Sequence, residues 1–211
     1  LQAQRVMSMM ASTRCNPIRV YYEAINSGAI IASKKVIAVY KHLIDNLDNP
    51  GQYHYDSDKA DRVIKFVETF CHPSKGKAAK YPLKLMLWQK AFIAATFGFV
   101  DNAGLRQYKE VALVVGRKNG KSALSSAISL YLLFKDGEYG PEVYAAATKK
   151  DQAKRIWDES VKMVKKSPAL RKRCKTLVGS IVVPGNDGEF KPLSRDSNTM
   201  DGLNVSAALM D

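Results

Sequence analysis

The chain has 211 residues, 46% hydrophobic and 25% charged, a globular composition that excludes wholesale disorder and suits one domain or one domain with an extension. Its 33 Lys and Arg against 20 Asp and Glu leave a formal charge of +13, which points to an anionic partner, nucleic acid or membrane surface, without choosing between them. The longest apolar runs, such as 129–134, are too short to cross a bilayer, and residues 1–10 lack the long apolar run of a secretion signal.

Residues 33–47 place Val36, Ile37, Tyr40, Leu43, Ile44 and Leu47 at the 3.6-residue spacing of one buried helix face, and Asn49-Pro50-Gly51 stops that helix. A second helix is predicted over 58–70, with Ala60, Val63, Ile64, Val67 and Phe70 as its stripe. Cys71-His72 reads as the end of this helix rather than as a pair of metal ligands. Cys15, Cys71 and Cys174 show no CxxC spacing, which argues against a disulfide framework or zinc ribbon and fits a reducing compartment. Residues 72–77 form a loop, and a short helix follows at 87–97.

The character then changes. Val111-Ala112-Leu113-Val114-Val115 is a continuous apolar run, as in a buried parallel strand. Residues 116–120 are a loop, 122–134 an apolar helix, and 142–147 a second strand. Thr148 to Asp151 has the spacing of a capping box. The helix behind it buries Ala153, Ile156, Trp157, Ser160 and Val164, and ends at Ser167-Pro168. Segments 177–183 and 190–194 flank Pro184-Gly185-Asn186-Asp187-Gly188, a hairpin signal. Last comes Val205 to Met210, an apolar strand that delivers Asp211 at its end. The strand–helix rhythm predicts an α/β fold with a parallel sheet.

Val115-Gly116-Arg117-Lys118-Asn119-Gly120-Lys121-Ser122 lies where a phosphate-binding loop belongs, between the predicted strand and helix. Backbone N–H groups and the helix N-terminus suit phosphate there. Gly120 permits close backbone approach, Lys121 reaches the outer phosphates, and the Ser122 hydroxyl suits Mg²⁺. Val115 occupies the position of the first glycine of GxxxxGK[ST], so the match is imperfect. Arg117 and Lys118 add charge, and an arginine there can stabilise a transferred phosphoryl group; the alternative is that both face solvent or nucleic acid. Asp211 suits Mg²⁺ support from a neighbouring strand. Upstream, Gln89 can pair with the adenine N6/N7 edge beside a stacking Trp88. The residues by themselves lean instead towards Trp88 packing among the N-terminal helices with Gln89 on the surface.

Together these motifs resemble one family. Asn16-Pro17-Ile18, Ser27-Gly28-Ala29-Ile30, Leu85-Met86-Leu87-Trp88-Gln89, Phe97-Gly98-Phe99, the RKNGKS loop, Tyr144-Ala145-Ala146-Ala147-Thr148, Asp151-Gln152-Ala153, Met200-Asp201-Gly202-Leu203-Asn204 and Ala208-Leu209-Met210-Asp211 are similar to the N-terminal ATPase domain of the large terminase subunit of tailed bacteriophages. The resemblance implies an ASCE-type P-loop NTPase sheet flanked by helices. It implies an N-terminal helical extension at 1–80 and an ATPase core at 81–211. It implies ATP and Mg²⁺ as cofactors, with Trp88, Gln89 and residues Gly116, Arg117, Lys118, Asn119, Gly120, Lys121 and Ser122 binding nucleotide. Arg117, Lys121 and Asp211 would be catalytic, and Ser122 and Asp211 would hold the metal.

The family also has a water-orienting glutamate directly after the aspartate, then a coupling motif and a nuclease domain. The sequence as given ends at Asp211, so weak turnover is the expectation. An arginine that some relatives carry before the last strand has no counterpart at Thr199-Met200-Asp201-Gly202, and Arg195 is not assigned that role. Implied partners are duplex DNA, the portal and prohead, and the small terminase subunit. A ring of like subunits on the prohead is implied, with a monomer as the isolated state, no membrane, and the host cytoplasm as location.

Between Lys149 and Lys175 stand eleven basic and three acidic residues. Lys149, Lys150, Lys154 and Arg155 are the candidate DNA contacts, read as a backbone-binding face; a merely solvated charged face is the alternative. Competing functions are another nucleic-acid translocase of helicase type, or a non-catalytic basic DNA- or capsid-docking module.

Overall fold

The computed structural model describes residues 16–147, 150–194 and 202–210. Long-range contacts divide the chain into two compact units. One gathers residues 16–65 and 85–113, and the other gathers 66–84 and the described residues from 114 onward.

The first unit is helical. Helix α1 (Pro17–Asn26) starts where Asn16 Oδ1 accepts the Ile18 N–H at 2.9 Å, with Pro17 in the first turn, where its missing N–H costs nothing. Helix α2 (Lys34–Asp48) is capped by Ser33 and buries Tyr40 and Leu43. The remaining predicted face of α2, Val36, Ile37, Ile44 and Leu47, packs half-buried against the same core. That core joins Ile18, Tyr21, Tyr40, Leu43, Ala60, Ala91 and Phe99, with Tyr21 and Tyr40 edge to face at 4.7 Å.

A two-residue strand, β1 (His54–Tyr55), precedes α3 (Ser57–Phe70). Helix α4 (Leu87–Gly98) runs into β2 (Phe99–Val100), which pairs antiparallel with β1. Gly98 is required here: a Cβ would lie 2.3 Å from the Tyr55 ring.

The second unit is a mixed α/β layer. Helix α5 (Lys121–Phe134) leads by a short connection to β3 (Glu142–Ala147) and then α6 (Lys150–Lys166). A single turn, α7 (Pro168–Arg171), and β4 (Lys175–Thr176) follow. Strands β5 (Ile181–Val183), β6 (Gly188–Ser194) and β7 (Val205–Met210) complete the sheet, in the order β4-β5-β6-β3-β7. Strand β3 is parallel to β6 and to β7, while β5 is antiparallel to its neighbours. The predicted hairpin closes between Val183 and Gly188 as read from sequence.

Helices α5 and α6 pack on each other and on the sheet. Small side chains let them approach closely: Ser126 Oγ donates to Ile156 O at 2.9 Å, and Ser160 Oγ donates to the same carbonyl at 2.9 Å. Both serines are fully buried.

One expected strand is absent. Residues 111–115 form irregular chain, with Val111 47% and Val114 94% exposed. An apolar strand is stable only with ladder partners and covered faces. Among the described residues no strand pairs with this run, and β7 is bonded to β3 alone. The apolar pattern therefore overstated the pairing available to it.

Candidate functional site

The topology brings the loop and the last strand to one end of the sheet. Helix α5 has its C-terminus where the parallel strands start: Leu133 O accepts a hydrogen bond from Asn186 Nδ2, in the turn just before β6. Its N-terminus, and residues 116–120 before it, therefore lie at the end where β3 and β7 finish. Strand β7 is held in register along β3: Met210 pairs with Ala146 at this end, and at the starting end the Ser206 hydroxyl accepts the Glu142 N–H at 3.0 Å and Glu142 Oε2 accepts the Asn204 N–H at 3.2 Å. The Tyr144 hydroxyl donates to the same carboxylate oxygen at 2.7 Å; burial, and then that carboxylate, push the phenol up to about 12. Asp211 follows Met210 directly and itself lies outside the described residues.

The loop has the backbone of a phosphate cradle. Lys118 takes φ +66° and Gly120 φ +77°, both left-handed, and Gly120 is the N-cap of α5. Gly120 has no side chain to cap the first turn, so the helix presents its positive end at the loop. Asn119 Nδ2 donates to Gly116 O at 3.1 Å and reaches Arg117 O at 3.5 Å, which ties the turn internally. A Cβ on Gly116 would lie 3.1 Å from that nitrogen, so the turn leaves little room for a side chain. Residues 116–120 are exposed, while Lys121 and Ser122 are half-buried at the start of the helix. A cationic side chain, a hydroxyl, two left-handed residues and a helix N-terminus make a donor set that fits a polyphosphate.

Gln89 is not on the surface as its spacing suggested. It is 5% exposed on α4, and its Oε1 accepts the Met86 N–H at 2.9 Å, so it caps its own helix. Trp88 packs half-buried against the helical core, as expected. Both belong to the first compact unit, and the loop belongs to the second.

The basic stretch is mixed in role. Lys154 and Arg155 are exposed on α6, opposite the buried Ile156 and Ser160. The side chain of Lys150, at the start of α6, and all of Lys149 lie outside the described residues, as does the predicted cap between Thr148 and Asp151. Lys166, by contrast, is committed to structure. Its Nζ donates to Pro73 O at 2.7 Å and to Ser74 O and Ala79 O at 3.2 Å. Glu159 Oε1 accepts the Ser74 N–H at 2.9 Å, and its other oxygen accepts the Ser74 hydroxyl. Charge composition could not reveal that these two side chains anchor the 73–79 loop on α6.

Cys71 is buried directly after α3, and burial pushes its thiol up to about 12. His72 Nδ1 lies 3.4 Å from Phe70 O. Among the described residues no group of three or more His, Cys, Asp or Glu side chains could hold a metal, and no helix is long and apolar enough to cross a membrane.

The chain is similar to known proteins. Residues 87–211 match the family model of the terminase large subunit, ATPase domain. Over 161 residues the chain is 33% identical to the terminase large subunit of Enterobacteria phage HK97, covering 72% of this chain and 30% of that protein. The terminase large subunit of Lactococcus phage p2 is 24% identical over 170 residues, covering 76% of this chain and 31% of its own length. The crystal structure of the HK97 bacteriophage large terminase matches with a TM-score of 0.59 at 28% identity, over 72% of this chain and 31% of that one. The chain thus spans about a third of the length of these relatives.

Proposed function

This chain belongs to the ATPase-domain family of terminase large subunits, and from that premise we propose that it is the nucleotide-driven motor portion of a viral DNA-packaging terminase. It binds ATP and couples hydrolysis to movement of duplex DNA into a prohead. The observation that carries this reading is the 116–122 loop: two left-handed residues and an uncapped helix N-terminus at the end of the sheet where β7 runs into Asp211.

In this reading residues 81–211 are the nucleotide-binding core and 1–80 a helical extension, a division of function rather than of compact units. Backbone N–H groups of Gly116 to Gly120 surround the phosphates, and Lys121 places its ammonium on the outer ones. Arg117 stabilises charge on the γ-phosphoryl group as it leaves, from within the same subunit. Ser122 and Asp211 would hold Mg²⁺, which supplies charge neutralisation at the β- and γ-oxygens when bound. Gln89 and Trp88 read the adenine; the bond from Met86 N–H fixes the Gln89 oxygen and so orients its carboxamide. Lys149, Lys150, Lys154 and Arg155 contact the DNA backbone without reading sequence. The portal, the prohead, the small terminase subunit and a ring of like subunits are the proposed partners, in the host cytoplasm.

Thermal melting with and without Mg-ATP tests the reading. Ligand at a hundred times Kd stabilises a protein by about 2.7 kcal/mol, so a rise of several degrees is expected. An unchanged midpoint at millimolar Mg-ATP contradicts it.

A further inference from the structure

At the end of α5 remote from the nucleotide loop, an open cleft of about 530 Å³ is lined by Phe134, Lys172, Arg173, Lys175 and the 184–186 turn. Three of its lining side chains are cations, and none is a carboxylate. All three are exposed, and among the described residues none of them is ion-paired. The acidic residue of the turn, Asp187, is occupied by a hydrogen bond from the Tyr139 hydroxyl. Cys174, which also lines the cleft, has its thiol pushed up by burial and adds no negative charge at neutral pH. The floor is firmly built. Asn186 Nδ2 donates to Leu133 O at 2.9 Å, capping the C-terminus of α5, and Asn186 O accepts the Gly140 N–H at 2.6 Å.

We propose that this cleft is a second anion site, one that grips the phosphodiester backbone of duplex DNA independently of the nucleotide loop. The proposal rests on the DNA-motor reading above and adds a contact surface to it. Helix α5 has 14 residues, and at 1.5 Å per residue it separates the two sites by about 20 Å, so a single nucleotide cannot occupy both. Three exposed cations carry more charge than a lone phosphate neutralises, whereas a polyanionic backbone can engage all three. Lysine on an edge strand also deters strand addition, which would account for Lys175 on β4. It does not account for Lys172 and Arg173, which precede the strand.

The test is fluorescence anisotropy of a random-sequence duplex of about 30 base pairs, titrated at several salt concentrations. Wild type is compared with K172A/R173A/K175A and with K34A/K35A/K41A, which removes the same charge from exposed positions of α2. Each neutralised phosphate contributes about 0.9 to the log–log salt slope. The cleft variant is therefore expected to be shallower by about 2–3 and to bind at least tenfold more weakly at low salt, with the control close to wild type.

Equal losses in both variants, or no loss in either, overturn the proposal. So does a cleft variant that no longer shows stabilisation by inorganic pyrophosphate yet keeps full DNA affinity, since that identifies a small-anion site. The ATP-induced melting shift is recorded for each protein. A wild type that shows this shift but no DNA binding overturns the cleft and leaves the nucleotide reading standing.

Discussion

Gly120→Ala isolates the backbone requirement of the loop. Gly120 has φ +77° and ψ 13°, so a Cβ enters the left-handed region at about 1–2 kcal/mol. The smaller conformational freedom of unfolded alanine returns about 0.4–1 kcal/mol. The net cost is therefore on the order of 1 kcal/mol. If the loop keeps its shape, the cost appears as lower stability in urea denaturation. If the loop relaxes, stability is spared and the same energy reappears as ATP binding weakened about fivefold in calorimetry. Lys118→Gly is the opposite case. Its backbone already sits at φ +66° with a side chain attached, so removing the Cβ relieves strain. That variant should be neutral to about 1 kcal/mol more stable. A Gly120→Ala protein with wild-type stability and wild-type affinity refutes the reasoning.

Three further predictions concern the scaffold. In a double-mutant cycle, Ser74→Ala and Glu159→Ala should couple by about 1–3 kcal/mol, because the Ser74 hydroxyl donates to that carboxylate, while the bond from the Ser74 N–H survives in alanine; coupling below about 0.5 kcal/mol removes the hydroxyl's part in the clamp. Ser126→Leu should cost about 1–3 kcal/mol or more by overpacking the α5–α6 contact, whereas Ser126→Ala costs about 1 because Ile156 O keeps its bond from Ser160; urea midpoints that fail to rank this way count against that packing. The third is alkaline stability. Cys71 and Tyr144 are both raised to about 12, from 9.0 and 10.0, so the folded state holds these protons more tightly than the unfolded state does. Their contribution is complete below pH 9 and is lost as the pH climbs towards 12. Urea midpoints should fall over that window, and Cys71 should react with a thiol reagent at pH 8 far more slowly than in the unfolded chain.

Local signals were readable wherever one residue type settles a backbone question. Asn49-Pro50-Gly51 ends α2, Ser167-Pro168 ends α6, and the 184–188 turn closes its hairpin. The turn at 116–120 was legible because its glycines and the apolar helix after it stand together. Pairing was less legible. The β1–β2 ladder is two residues long, too short for any period, and the 111–115 run has the composition of a buried strand without a described partner. Gln89 was misplaced because a polar side chain that caps its own helix can be buried at little cost. Lys166 looked like any other member of a basic stretch, although its ammonium is spent on three carbonyls more than eighty residues earlier in the chain.

The claim that the 116–122 loop binds ATP is tested most directly by calorimetric titration of Mg-ATP into wild type and Lys121→Ala. Removing the ammonium from the outer phosphates should weaken binding by at least about tenfold, equivalent to about 1.4 kcal/mol, while the urea midpoint stays close to wild type. Equal affinities for the two proteins would contradict the account.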